Sequence, residues 1–252
     1  MAFLFSCREG VYGTWKEAVE HLPQAGVQAL EVGVRPLEEL KEVAAGVKAA
    51  GMVIGTLAGG VDFDKPESVE AYHASLAAAE AAGISLYFTS ASGSEHPRPY
   101  YMERLRELAE RAAEHGVVIS LETHPPFCQN ADDMLATVNA ANHPNVKINL
   151  DTANIYYYNA GRSSAADLEQ VFDHVASLHL KDTDGGFHSG NFPVLGEGIV
   201  DFPRIFKALK SANFAGPLTL ELEGPVVGGK DLAERHAAVV GCMDYLRSIG
   251  AA

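Results

Sequence analysis

The sequence has little positive charge and no long apolar run. Its 252 residues carry 33 acidic and 19 basic side chains, a formal net charge of −14. A chain with this balance repels phosphate backbones and anionic lipid, so we expect no nucleic-acid partner. No apolar stretch approaches the roughly 20 residues that a membrane-spanning helix needs, and the Phe3-Leu4-Phe5 run lacks the basic lead of a signal peptide. We therefore expect no membrane partner either.

Cysteine is also scarce. Cys7, Cys128 and Cys242 lie far apart in the sequence. An odd number of cysteines without metal-type spacing suits neither a disulfide framework nor a cysteine metal site. This use of cysteine is typical of reduced thiols, so we predict a cytoplasmic protein.

Short apolar runs alternate with Ala-, Glu- and Leu-rich stretches of helical period. Four helical stretches end in a glycine just before the next apolar run: Gly26, Gly51, Gly83 and Gly116. A left-handed residue is favoured at such helix ends. Eight strand–helix pairs predict an α/β fold, a (β/α)8 TIM barrel formed as one domain by residues 1–252. An open doubly wound sheet is the alternative, but its glycine phosphate fingerprint is absent after the first strand.

Four predicted strands each end in a residue that binds divalent metals: Glu122, Asp151, His179 and Glu221. Active sites of such barrels lie at the C-terminal ends of the strands, so these side chains are predicted to meet there. An isolated acid at a strand end is usually a helix cap or a solvated loop charge. Three carboxylates and one imidazole together favour one bound Mn²⁺, Mg²⁺, Co²⁺ or Zn²⁺ ion.

Side chains alternate along a strand, which predicts further polar residues on the inward face. The pairs that share this face are Glu122 with His124, Asn149 with Asp151, His179 with Lys181, and Glu221 with Glu223. The opposite face holds leucines suited to packing against helices: Leu121, Leu150, Leu180 and Leu222. Inward polar groups are costly unless they pair or bind a cation, which again favours a metal.

Several of these residues have both a structural and a substrate-binding interpretation. His124 could cap the Pro125-Pro126 turn or contact substrate, and Lys181 could pair with Glu31 or hold a substrate oxyanion. His188 lies in a Gly- and Asp-rich segment and is a candidate for substrate contact, or an exposed loop residue. We expect Asp182 to be a surface or capping group.

Aromatic residues near the predicted mouth are candidates for stacking on a sugar ring. They are Trp15 and the Tyr156-Tyr157-Tyr158 run. Tyrosine runs are more often packing or subunit contacts, which leaves a homo-oligomer open.

The combined motifs resemble the xylose isomerase-like barrel superfamily of sugar phosphate isomerases and epimerases. The matching segments are Leu-Glu122, Leu-Asp151-Thr, His179-Leu-Lys181-Asp182, Gly196-Glu-Gly-Ile-Val-Asp201-Phe202 and Leu-Glu221. The resemblance implies that Glu122, Asp151, His179 and Glu221 hold one metal ion, with Mn²⁺ preferred, and that the two glutamates form an acid/base pair. Ketose 3-epimerases of the group have a substrate-binding His three residues after the metal-binding Asp. Asn154 stands there in this chain and is the candidate for that contact.

Such a site supports enediolate chemistry. A divalent ion chelated by a carbonyl and its neighbouring hydroxyl acidifies the α C–H bond, and Glu122 or Glu221 can remove the proton while the other returns one. The sequence therefore predicts a metal-dependent isomerase or epimerase of a small sugar-like hydroxy-ketone. One alternative is a lyase or dehydratase acting on a keto-sugar or keto-polyol, with His188 or His124 as the acid. A second alternative is a non-catalytic subunit that binds metal or sugar.

Overall fold

Strands and helices alternate throughout the structure, a computed structural model that describes residues 3–252. Within these residues eight parallel strands close into a barrel in chain order, and the last strand pairs with the first. The predicted fold class is confirmed. The strands are β1 Leu4–Arg8, β2 Ala29–Gly33, β3 Val53–Asp62, β4 Leu86–Ser92, β5 Val118–Glu122, β6 Val146–Asp151, β7 Val175–Leu180 and β8 Pro217–Leu220.

Helices cover the outside of the barrel. In the described part of the chain they are α1 Trp15–Ala25, α2 Leu37–Ala49, α3 Pro66–Ala81, α4 Arg98–Glu114, α5 Ala131–Ala141, α6 Asn154–Tyr158, α7 Ser164–Val171, α8 Phe202–Ser211 and α9 Leu232–Ser248. The short α6 is an addition to the predicted elements. Between residues 3 and 252, every helix is too short or too polar to span a membrane.

Glycines end four of the helices as the sequence predicts. Gly26 follows α1 with φ of 86°, and its N–H donates to the carbonyls of Leu22 and Pro23. Gly51, Gly83 and Gly116 follow α2, α3 and α4 with φ of 73°, 72° and 66°. Only glycine adopts this left-handed conformation without strain, so each helix can turn directly into the next strand.

The two faces of the strands differ in polarity. The outward leucines pack in the core as predicted: Leu121, Leu150, Leu180 and Leu222. The inward face carries a buried polar layer: Ser6, Thr56, Ser120, Asn149, Ser177 and Thr219. Ser177 Oγ donates to Asn149 Oδ1 at 2.7 Å and lies 2.9 Å from Ser120 Oγ. Because inward residues recur at every second position, the next inward layer toward the C-terminal strand ends contains Glu122, Asp151 and His179.

Candidate metal centre and active site

Three side chains bring their metal-binding atoms together at the C-terminal end of the barrel. Asp151 ends β6, His179 lies opposite it on β7, and Glu221 directly follows β8. One donor atom from each lies within 4.8 Å of the others, and all three side chains are buried. Of the residues from 3 to 252, these three form the one such group, and all three were predicted as ligands.

The donor atoms of this group fit a divalent ion. Asp151 Oδ2 and His179 Nδ1 make no hydrogen bond of good geometry in the described residues, although Lys181 Nζ lies 3.0 Å from the first atom and Glu221 Oε2 lies 3.1 Å from the second. The other atoms are engaged: Asp151 Oδ1 accepts the N–H groups of Ala153 and Asn154, each at 2.8 Å. Buried polar atoms without partners cost free energy. A divalent ion bound to both atoms would satisfy them and would also compensate the buried carboxylate charge.

Glu31 on β2 orients the histidine. Its Oε2 lies 3.1 Å from His179 Nε2 and accepts the Thr56 hydroxyl at 2.7 Å. Burial acts to raise the pKa of Glu31, but His179, Arg8 and Thr56 outweigh it and lower that pKa. A metal-binding histidine usually has its second nitrogen held by a carboxylate in this way. The sequence showed Glu31 as a lone acid on an apolar strand, but not this role.

Lys181 contacts Asp151 and Glu221 of this group rather than Glu31, whose pairing with Lys181 was one of the two interpretations that the sequence left open. Its Nζ lies 3.0 Å from Asp151 Oδ2, 2.8 Å from Glu221 Oε2 and 3.1 Å from Glu223 Oε2. Burial acts to lower the pKa of Lys181, but the three carboxylates raise it well above its usual range. Lys181 directly follows β7, whereas Glu31 lies on β2, where Arg8 and His179 already contact it.

Arg8 is a site residue that the sequence reasoning missed. It ends β1, where its Nε lies 3.2 Å from Glu31 Oε1. Its Nη1 contacts Glu221 Oε1 and lies 3.8 Å from Glu223 Oε1. The guanidinium carbon is 5.6 Å from the centroid of the Phe88 ring. Arg8 is the last residue of β1 and has the inward parity of Ser6, so its side chain points into the barrel.

Glu122 lies beside the three-residue group, not within it. Its Oε2 accepts the Ser90 hydroxyl, and its Oε1 lies 3.5 Å from Asn154 Nδ2. Burial and the Glu221 carboxylate raise the pKa of Glu122. Burial acts in the same direction on Glu221, but His179, Lys181 and Arg8 hold the pKa of Glu221 well below its usual range. Two carboxyl groups with opposite shifts suit an acid and a base in one site.

A cavity of about 470 Å³ opens above these groups. The predicted residues that line it are Glu122, His124, Asn154, Lys181 and Glu221. Arg8, Phe88 and Ser90 complete the inner wall, while Tyr157, Tyr158 and Phe192 form the aromatic rim. A larger cavity of about 590 Å³ is lined by residues that include Phe3, Gln28 and Arg247, and none of the three grouped donor residues lines it. Volume alone therefore does not identify the site.

The remaining predicted contacts lie at different distances from the cavity. His124 lines it, and its Nδ1 also contacts the Pro125 carbonyl; its contact with substrate stays a prediction. His188 is exposed, stacks on Tyr157 with ring centroids 5.1 Å apart and is not among the residues that line the cavity. The prediction for Trp15 needs correction: it begins α1, and its ring packs against Gly46 of α2 because only a glycine leaves room there.

Asp182 is buried rather than a surface group. Its carboxylate accepts the backbone N–H groups of Thr183, Gly196, Gly198 and Val200 at 2.8 to 3.1 Å. These bonds tie together the two ends of the segment between β7 and α8. Through them Asp182 supports the loop that brings Gly190 and Phe192 to the cavity.

Sequence comparison finds curated sugar epimerases. The L-ribulose-5-phosphate 3-epimerase UlaE of Shigella boydii is 27% identical over 172 residues, which are 65% of this chain and 58% of that protein. The Escherichia coli enzyme of the same name is 28% identical over 142 residues, 56% of this chain and 48% of that protein. The chain thus spans about half the length of the curated relatives it matches.

Solved structures share the fold. D-Psicose 3-epimerase from Clostridium cellulolyticum H10, solved with D-tagatose, has a TM-score of 0.80 at 17% identity and covers 99% of both chains. The IOLI protein with a bound zinc atom has a TM-score of 0.80 at 18% identity, covering 99% of this chain and 98% of that one. Residues 17–248 match the family model described as xylose isomerase-like TIM barrel. The chain therefore belongs to the xylose isomerase-like TIM barrel family.

Proposed function

We propose that the protein is a divalent-metal-dependent epimerase or isomerase of a small sugar-like hydroxy-ketone. One observation carries this proposal: Asp151, His179 and Glu221 form a buried group whose donor atoms lie within 4.8 Å of one another, and a further carboxyl group, Glu122, lines the same cavity as Glu221. The names of the curated relatives support sugar epimerisation. The proposal includes a cytoplasmic location, which the three free cysteines suit.

Asp151, His179 and Glu221 would hold the ion, with Glu122 as the proposed fourth ligand. When bound, the ion polarises the substrate carbonyl and neighbouring hydroxyl, which acidifies the α C–H bond. Mn²⁺ is our first choice because an oxygen-rich set with one imidazole suits it, and Mg²⁺, Co²⁺ and Zn²⁺ are the other candidates. Glu31 keeps His179 turned toward the same point.

The two glutamates move the proton. Glu221 is the proposed base because His179, Lys181 and Arg8 favour its ionised form, although burial opposes it. Glu122 is the proposed acid because burial and the Glu221 charge favour its protonated form. Return of the proton to the opposite face of the same carbon gives the epimer, whereas return to the neighbouring carbon gives the isomer. Asn154 and His124, which line the cavity, are proposed to orient the substrate hydroxyls.

Exchange of the α-proton with D₂O tests this function. We expect Mn²⁺-loaded protein to wash deuterium into the α-position of at least one member of a panel of free and phosphorylated ketoses. The metal-free protein and the Glu221→Gln variant serve as controls, and both should show no exchange. A protein that binds Mn²⁺ tightly and exchanges no proton on any member of the panel would be a binding subunit, contrary to the proposal.

The same assay separates the lyase alternative. His124 lines the cavity and is the proposed general acid for a departing β-hydroxyl group, whereas His188 is exposed and lies outside the cavity lining. Elimination releases one molecule of water and gives an enol that becomes a 1,2-dicarbonyl product, while epimerisation and isomerisation keep the composition of the substrate. A product that has lost one water in mass spectrometry would favour the lyase.

A further inference from the structure

The Lys181 ammonium approaches the oxygen atoms that the proposed ion would need. Asp151 Oδ1 is occupied by backbone N–H groups and Glu221 Oε1 by Arg8, so Oδ2 and Oε2 are the oxygens left for a metal. Lys181 Nζ lies 3.0 Å from the first and 2.8 Å from the second. The ammonium and a divalent ion would therefore contact the same two atoms.

Charge makes the two cations competitors. A divalent ion and an ammonium a few ångströms apart repel strongly in a buried site. The Lys181 side chain is only 4% exposed, so little water is available to screen that repulsion. Without a metal, however, the ammonium neutralises carboxylates that would otherwise repel one another in the barrel interior.

A second position for the ammonium exists at the mouth. Lys181 Nζ already lies 3.1 Å from Glu223 Oε2, and the Glu223 side chain is 46% exposed. The same Nζ is 4.9 Å from the centroid of the Phe192 ring, a favourable cation–π distance. The flexible lysine side chain can move toward these two groups without leaving an unpaired buried charge.

We propose that Lys181 is an internal counter-ion of the metal site, which releases Asp151 and Glu221 and moves to Glu223 and Phe192 when a divalent ion binds. Its presence lowers the affinity for metal and stabilises the metal-free barrel. Whether the Lys181 ammonium lies at the cavity mouth therefore depends on whether a divalent ion is bound. The inference rests on the metal site of the proposed function, but not on the reaction.

Calorimetric titration of metal-free protein with Mn²⁺ tests the inference. We expect Lys181→Met to raise the Mn²⁺ association constant on the order of tenfold, the lower end of the effects seen when groups around metal ligands are changed. We also expect it to lower the melting temperature of the metal-free protein. Lys48→Met, the same change at an exposed lysine on α2, should leave both quantities unchanged. Equal or weaker Mn²⁺ binding by Lys181→Met would overturn the proposal.

Two further variants guard this result. Lys181→Gln removes the charge but keeps a hydrogen-bond donor. It takes the place of Lys181→Met if the Met variant does not fold without metal, and we expect the same tighter Mn²⁺ binding and lower melting temperature from it. Glu223→Gln should weaken Mn²⁺ binding more in the wild-type background than beside the Lys181 change, because it removes the second position of the ammonium. Equal effects in both backgrounds would contradict the proposed movement. Absence of Mn²⁺ binding in every variant would overturn the metal site, and this inference with it.

Discussion

At the residue scale, the carboxylate of Glu31 holds the histidine of the site and contacts a second residue as well. Glu31 contacts both His179 and Arg8, and Arg8 in turn contacts Glu221, so one buried acid connects two of the three donors. Removal of its charge would loosen both connections. The pairing of these groups therefore matters as much as the identity of the metal-binding residues.

We predict that Glu31→Gln weakens Mn²⁺ binding roughly 10- to 100-fold, as changes to partners of metal ligands usually do. The amide can turn its NH₂ group toward His179 Nε2, which removes the acceptor that keeps Nδ1 directed at the metal. Calorimetric titration measures the change. Glu9→Gln is the matched control, because Glu9 also pairs with an arginine, Arg35, but does not contact His179. Equal affinities for the Glu31 variant and wild type would refute the orienting role.

Replacement of Glu221 and replacement of Glu122 are predicted to affect α-proton exchange and product formation differently. In Glu221→Gln both α-proton exchange and product formation should disappear for a substrate whose proton faces Glu221. In Glu122→Gln product formation should fall by about 10²- to 10⁴-fold, the usual loss for a missing general acid, while exchange continues. Deuterium incorporation and product formation, followed in the same tube by NMR, separate the two. Parallel loss of both signals in Glu122→Gln would reverse the assignment of acid and base.

Sequence reasoning found the three donors because each ends an apolar strand, a local signal. It placed Glu122 with them for the same reason, although the structure turns that carboxyl group toward Ser90 and Asn154. Trp15 shows the opposite failure. Its position after the first strand suited the mouth, but helix packing against Gly46 decides where a large ring points, and no local pattern records that contact.

At the element scale, the sequence predicted the strand ends that carry the site residues, but it did not predict how far β3 extends. The segment after Leu57 contains Ala58, Gly59 and Gly60, residues that give no local strand signal because glycine is depleted in strands. In the structure β3 continues to Asp62 because these residues pair with β4 from Phe88 to Ser92. The helix-ending glycines were predictable because their backbone requirement is local, whereas β3 gains its length from a partner strand.

The loop between β7 and α8 provides a prediction at this scale. A Cβ atom on Gly198 would lie 2.3 Å from both Asp182 Oδ1 and the Thr183 carbonyl oxygen, so Gly198→Ala must displace the loop. We expect a loss of roughly 1–3 kcal/mol in the free energy of unfolding, as for other overpacked sites. We also expect a higher KM, because Gly190 and Phe192 line the cavity and would move.

Gly10→Ala is the matched control for this loop, because a Cβ atom on Gly10 meets nothing within 4 Å. Urea unfolding and steady-state kinetics of the two variants give the comparison. An unchanged KM in Gly198→Ala would contradict the role of Asp182 in supporting the wall of the cavity.

At the scale of the whole molecule, closure of the barrel creates the contacts that the sequence could not reveal. The pairing of Cys7 with Leu220 places Arg8 beside Glu221, although the two residues are 213 positions apart. The repeated strand, helix and glycine units predicted that a barrel forms and that strand ends converge. They did not predict which cation contacts which carboxylate, because that depends on register across the β1–β8 seam.

Because the barrel is closed and its strands depend on one another, we predict that metal binding stabilises the whole barrel. The donors come from β6, β7 and the residue after β8, so unfolding any of these strands destroys the site, and an ion that binds only the folded chain must raise its stability. At a free Mn²⁺ concentration 100 times the dissociation constant the gain is about 2.7 kcal/mol. For a domain of this size that corresponds to a rise in melting temperature of roughly 5–10 °C. Thermal unfolding with Mn²⁺ and with a chelator measures the difference. Asp151→Asn should lose most of the rise because it removes one charged donor, and an equal rise in that variant would place the bound ion elsewhere in the protein.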